Sequence, residues 1–200
     1  MDGVVEAIEI AGRKIGPGHP CFIIAEAGVN HNGDLQLAER LVDAAASTGA
    51  DAVKFQSFNA ERLVTAQAPK AAYQVRATGH EEAQRDMLRR LELSPAAHGE
   101  LFRYCRQREI LFLSTPFDEE SADLLARLGV AAFKIGSGDL TNLPLLSHVA
   151  KIRRPMIVST GMSTLAEVAA AVRGIQAMSD VGLVLLHCVS SYPADPADVN

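Results

Sequence analysis

Six short apolar runs recur along the chain: CFIIAEAG (21–28), DAVKFQSF (51–58), EILFLSTPF (109–117), AAFKIGSGDL (131–140), RPMIVSTGM (154–162) and VGLVLLHCVSSY (181–192). Each gives way to a turn, and most are followed by a stretch with helical period. LQLAERLVDAAASTGA sets Leu37, Leu41 and Ala44 at helix spacing and stops at Gly49. DEESADLLARLGV opens with Asp118 as the expected N-cap and stops at Gly129. STLAEVAAAVRGIQAM opens with Ser163 as the expected N-cap, with Glu167 one turn in. These are helix start and stop signals. Strands that are apolar on both faces and alternate with helices predict a parallel sheet covered by helices. No GxGxxG follows the first strand, which argues against a dinucleotide-binding sheet.

Polar residues gather at the C-terminal end of nearly every predicted strand. They are Glu26, Lys54 and Gln56, Ser114 and Thr115, Lys134 and Ser137, Ser159 and Thr160, and His187 and Ser190. One polar rim fed by six strands is the layout of a TIM (β/α)₈-type barrel with its site at the top face. A doubly wound sheet would concentrate the site at one switch point. About six of the eight βα units fall within these 200 residues, so residues 1–200 read as a truncated barrel. Residues 58–108 form a long excursion between the second and third strands, with a helix predicted over 95–108. Loops of that length are uncommon unless functional or disordered.

Composition adds exclusions. With 48% hydrophobic residues and a net charge of −5, the chain is an ordinary globular one and offers little to nucleic acid or a membrane surface. Cys21, Cys105 and Cys188 show no metal or disulfide spacing, which predicts reduced thiols and a cytoplasmic setting. No signal peptide pattern stands at the start, and no apolar run approaches the roughly 20 residues of a membrane span.

Lys54 and Lys134 each sit late in an apolar strand. Either they snorkel to the surface, or both point into the barrel mouth and bind an anion, helped by Thr115, Ser137 and the glycines 136 and 138. Glu26 and Asp139 either balance those lysines or act in acid–base and substrate-hydroxyl contacts. His31 in GVNHNGD stands at the first βα loop as a surface residue or a site residue, and His187 reads by default as a satisfied interior histidine. No HxxxH or HExxH occurs.

The segments FIIAEAGVNHNGDLQLAERLVDAAASTGADAVKFQSF, FLSTPFDEESADLL, FKIGSGDLTNLPLL, PMIVSTGMSTLAEV and LLHCVSSYPADPADVN resemble, in order, the N-terminal barrel of the sialic acid synthase family. That family comprises N-acetylneuraminate, legionaminate and pseudaminate synthases and related spore-coat polysaccharide proteins. The resemblance implies condensation of phosphoenolpyruvate with an N-acetylated aminohexose, usually N-acetylmannosamine, to a nonulosonic acid with release of phosphate. It implies a divalent metal, Mn²⁺ or Mg²⁺, as Lewis acid, and a homodimer when full length. By motif, Lys54, Thr115, Lys134, Ser137 and Ser190 fall where the family holds phosphoenolpyruvate. Gln56, Asp139 and Tyr192 fall on the sugar side, with Tyr73 and Gln74 of the excursion as further sugar-side candidates. Glu26 matches the strand-one carboxylate near the reacting centre, and Glu26, Lys54, Lys134 and Asp139 make up the expected catalytic set.

Departures accompany the match. Asp139 stands where relatives often carry Glu, and Ser190 where some carry Asn. The family's two metal-ligand histidines and its C-terminal antifreeze-like domain have no counterpart in these residues, so the metal is expected to find no ligands within this chain, and the 200 residues alone are expected to show little or no synthase activity. Two rival readings stay open. One is a sister barrel using a phosphorylated aldose, for which Arg153, Arg154 and the Arg85–Arg90 cluster are the only basic candidates. The other is a truncated, non-catalytic fragment or paralogue that binds phosphoenolpyruvate.

Overall fold

A computed structural model describes residues 6–70, 75, 82–189 and 194–199. Tyr73, Gln74, Ser190 and Tyr192, all sugar- or phosphoenolpyruvate-side candidates, lie outside the described residues. The chain divides into two compact units, residues 24–128 and residues 1–23 with 129–200.

In residues 24–128, strands β3 (Ile24–Gly28), β4 (Ala52–Ser57) and β5 (Leu111–Pro116) form a parallel sheet in the order β3-β4-β5. Helix α1 (Leu35–Ser47) starts where the Asp34 side chain accepts the Leu37 N–H, and it buries Ala38, Val42 and Ala45. The predicted helix over 95–108 is α4 (Pro95–Gln107), capped by Ser94 with Pro95 in the first turn. The excursion before it also forms two short helices, α2 (Ala60–Leu63) and α3 (Gln84–Leu91). Helix α5 (Glu119–Leu128) begins as expected at Asp118, whose carboxylate accepts the Ser121 N–H. Phe55 and Phe112 stack at 5.7 Å, and Phe102 of α4 meets Phe112 edge-on at 6.0 Å. Those contacts place Phe55 and Phe112 on the helix-covered face of the sheet. By strand alternation Ser57 and Ser114 share that face, while Lys54, Gln56, Leu113 and Thr115 share the other. Cys105 lies among this apolar packing, and burial pushes its thiol up to about 12.

The second unit holds a parallel sheet of β6 (Phe133–Ile135), β7 (Met156–Ser159) and β8 (Leu183–Leu186), with α6 (Leu143–Lys151) and α7 (Leu165–Met178) packed together. It also contains an antiparallel hairpin, β1 (Ile8–Ile10) with β2 (Arg13–Ile15), which the apolar runs do not predict. Its two-residue turn has positive φ at Ala11 and Gly12, the primed geometry that suits a twisted hairpin. The N-cap of α7 is Thr164 rather than Ser163. Thr164 and Glu167 make a reciprocal capping box, whereas the Ser163 hydroxyl donates to the Gly161 carbonyl. Glu167 lies three residues after Thr164, the spacing that the box requires. Thr164→Ala is expected to lower stability by about 1 kcal/mol, read as a lower urea midpoint with an unchanged slope.

Among the described residues no helix is long and apolar enough to cross a membrane.

Candidate active site

The end of the β3-β4-β5 sheet carries the first cluster. Lys54 is only 8% exposed, and parallel pairing sets it beside Glu26 on β3. Its ammonium forms an ion pair with the Glu26 carboxylate, which is itself half-exposed. Lys54 therefore does not snorkel, and Glu26 does balance it. Gly28, with φ +54°, lets that carboxylate fold close: a Cβ there would stand 3.1 Å from Glu26 Oε1. Gln56 and Thr115 are register partners on the same face as Lys54, Gln56 half-buried and Thr115 buried. The unit thus brings Glu26, Lys54, Gln56 and Thr115 to one end of one sheet face.

His31 goes elsewhere. It is buried and faces Phe55 with ring centroids 6.0 Å apart, which puts it with the ring on the far side of β4 from Lys54. Its Nδ1 accepts the Gly33 N–H at 3.0 Å, so the ring proton resides on Nε2. His98 on α4 is also buried, and its Nε2 lies 2.8 Å from the Ser57 hydroxyl. Desolvation by burial lowers the pKa of both histidines below the ordinary 6.5, and their mutual proximity adds to the lowering at His31. Both are neutral at pH 7, while the unfolded chain takes up their protons below about 6.5. The unfolded state then binds more protons, so stability is complete above that pH and declines as pH falls through the lowered native values. The urea midpoint is expected to be lower at pH 5.5 than at pH 7.5. An equal midpoint at the two would contradict the neutral, buried assignment.

The second unit carries the second cluster. Lys134 is 7% exposed, and its ammonium donates to the Ile135 carbonyl at 2.7 Å and to the Ser159 hydroxyl at 2.6 Å. Ser137 opens a short 3₁₀ turn, Ser137–Asp139, directly after β6, and its hydroxyl accepts the Gly161 N–H at 3.0 Å. Asp139 is half-buried, and desolvation raises its pKa while the Asn142 amide, donating at 3.2 Å, works against that shift. His187 is not an interior histidine. It is exposed and lines a cavity of 510 Å³ with Thr160, Met162 and Cys188. The cause is its place just past β8, whose residues are only part-buried and which pairs with β7 alone among the described strands.

Two contacts of interest were not legible in the sequence motifs. Ser159 stands in the rim but showed no sign of bonding Lys134; that follows from the pairing of β6 with β7, which puts Lys134, Ile157 and Ser159 on one face. His98 carries no motif, yet its spacing to Leu101 and Cys105 marks the buried face of α4.

Four of the basic residues proposed for a second phosphate, Arg85, Arg89, Arg90 and Arg154, are engaged. Arg85 and Arg89 pair with Glu61, Arg90 pairs with Glu82, and Arg154 donates to the Val130 carbonyl. Among the described residues no three His, Cys, Asp or Glu side chains gather so as to hold a metal ion, and Glu26 is taken up by Lys54.

The NeuB family model matches residues 41–200. The N,N'-diacetyllegionaminic acid synthase of Campylobacter jejuni is 49% identical over 181 residues, covering 90% of this chain and 54% of that enzyme. That of Legionella pneumophila is 51% identical over 185 residues, covering 90% of this chain and 52% of that enzyme. The N-acetylneuraminic acid synthetase of Leptospira borgpetersenii, solved in complex with citrate, superposes with a TM-score of 0.84 at 34% identity, over 98% of this chain and 63% of that one. The chain spans about half the length of the curated relatives it matches. With the family model covering most of the chain, these likenesses make it a member of the NeuB family.

Proposed function

We propose that this chain is the phosphoenolpyruvate-binding part of a synthase that condenses the enol phosphate with an N-acetylated hexosamine to a nonulosonic acid. In this reading residues 1–200 belong to one TIM-type barrel. The observation that carries it is the burial of two lysines at the ends of parallel strands, each beside a hydroxyl-bearing partner strand. A buried ammonium is costly unless an anion or several acceptors meet it, and lysine serves phosphate as a compact point charge. By motif, Lys54, Thr115, Lys134, Ser137 and Ser190 would hold the phosphate and carboxylate. Gln56, Asp139, Tyr192, Tyr73 and Gln74 would contact the sugar.

The chemistry is an addition followed by loss of phosphate. C3 of the enol bonds to the open-chain aldehyde carbon, and the aldehyde oxygen takes up a proton. Water adds at C2, and the tetrahedral intermediate loses phosphate by C–O cleavage, leaving the 2-keto acid. Glu26, half-exposed and paired with Lys54, would take the proton from that water. Asp139, with its raised pKa, suits contact with a sugar hydroxyl. The ion pairs that occupy Arg85, Arg89 and Arg90 weigh against a phosphorylated sugar. Incubation of the protein carrying this chain with phosphoenolpyruvate and N-acetylmannosamine tests the reading. Phosphate release that needs both substrates is expected, and release that needs a 6-phosphorylated sugar would transfer the assignment to the phosphorylated class.

A further inference from the structure

We infer that His98 is a positioning residue that fixes the strand ends carrying Gln56 and Thr115 through a directed hydrogen-bond chain on the opposite face of the sheet. This rests on the proposed enol-phosphate site. The Nδ1 of His98 lies 3.0 Å from the Ser94 carbonyl, which can only accept, so Nδ1 carries the proton. Nε2 is then an acceptor and takes the Ser57 hydroxyl proton at 2.8 Å. The Ser57 oxygen in turn accepts from the Ser114 hydroxyl at 2.7 Å. With the proton on Nδ1, the chain runs from Ser114 to Ser57 to His98 to the carbonyl that opens α4. Burial lowers the His98 pKa and keeps the ring in the neutral form that this order requires.

The chain ties three elements at one level. Ser57 ends β4 next to Gln56, Ser114 precedes Thr115 on β5, and His98 lies in the first turn of α4. Gln56 and Thr115 are themselves register partners. A shift of either strand end by a fraction of an ångström would break a 2.7–2.8 Å bond on one face and move a candidate ligand on the other. All three side chains are buried, so a broken bond leaves a polar group without water. None of them is on the face of Lys54, so none touches substrate in the proposed site.

The test is calorimetric titration of the chain with phosphoenolpyruvate, alongside thermal unfolding. His98→Leu is expected to weaken binding roughly tenfold through misplacement of Thr115, and His98→Gln, which can offer an acceptor near the Nε2 position, to recover most of that loss. Ser114→Ala, which removes one oxygen and tests the chain even where His98→Leu does not fold, is expected to weaken binding to a similar degree. The double variant His98→Leu with Ser114→Ala is expected to be no weaker than either alone, since one break already releases the strand ends. Binding by the single variants equal to wild type, or losses that multiply in the double variant, would overturn the inference while leaving the enol-phosphate reading intact. Failure of the wild-type chain to bind phosphoenolpyruvate overturns that reading, and this inference with it.

Discussion

Lys134→Met is expected to weaken phosphoenolpyruvate binding by about a hundredfold or more, the equivalent of about 2.7 kcal/mol. Methionine has a similar length and suits the apolar strand between Phe133 and Ile135, both fully buried, so the fold is expected to survive. What is lost is a desolvated positive charge. At 7% exposure its attraction to a phosphate is weakly screened, and a hydrogen bond to a charged group is worth about 1.5–3 kcal/mol. The substitution also strands the Ser159 hydroxyl that Lys134 now donates to at 2.6 Å. Titration with phosphoenolpyruvate reads the binding, and circular dichroism melting reads the fold. Binding within threefold of wild type by a folded variant would contradict the role given to Lys134.

Gly33→Ala is expected to lower stability by about 3 kcal/mol or more. Two costs add there. The residue has φ +78°, and a Cβ would stand 2.4 Å from the Arg90 carbonyl oxygen, a backbone atom that cannot swing away. The same glycine donates its N–H to His31 Nδ1, so displacing it also unseats the buried ring. Gly49→Ala separates the two costs. Gly49 has nearly the same φ, +76°, but nothing lies within 4 Å of its added Cβ. It is expected to cost only about 1–2 kcal/mol, the penalty of the left-handed backbone alone. Urea midpoints that fall equally in the two variants would show that the Arg90 contact carries no weight.

The parallel strand pairing, the helices Leu35–Ser47, Pro95–Gln107, Glu119–Leu128 and Leu165–Met178 and the Asp118 cap were legible because each rests on a local signal. Strands such as MIVS are short apolar runs, and Asp118 is a short polar side chain just before a helical period. The cap of α7 was misplaced by one residue because Ser163 and Thr164 are chemically equivalent, and only the reach of Glu167 decides between them. The β1–β2 hairpin was missed because each strand has three residues, too few to show a period. The lysines were legible as anomalies in apolar runs. Their partners were not, since Lys54 with Glu26 and Lys134 with Ser159 depend on strand register, which lies between segments far apart in sequence. The loop of His31 left it open as a surface or a site residue, but its ring is buried and turns to Phe55, away from Lys54's face. His187 was read as interior from the apolar LL before it, yet β8 is only part-buried and the ring is exposed.

The central claim is that the buried ammonium groups of Lys54 and Lys134 are both needed to bind phosphoenolpyruvate. Titration of the chain with phosphoenolpyruvate, taken to saturation for wild type, Lys54→Met and Lys134→Met, tests it most directly. The account predicts saturable binding by wild type and its loss in each single variant. No saturable binding by wild type, or binding within threefold of wild type by either folded variant, would contradict it.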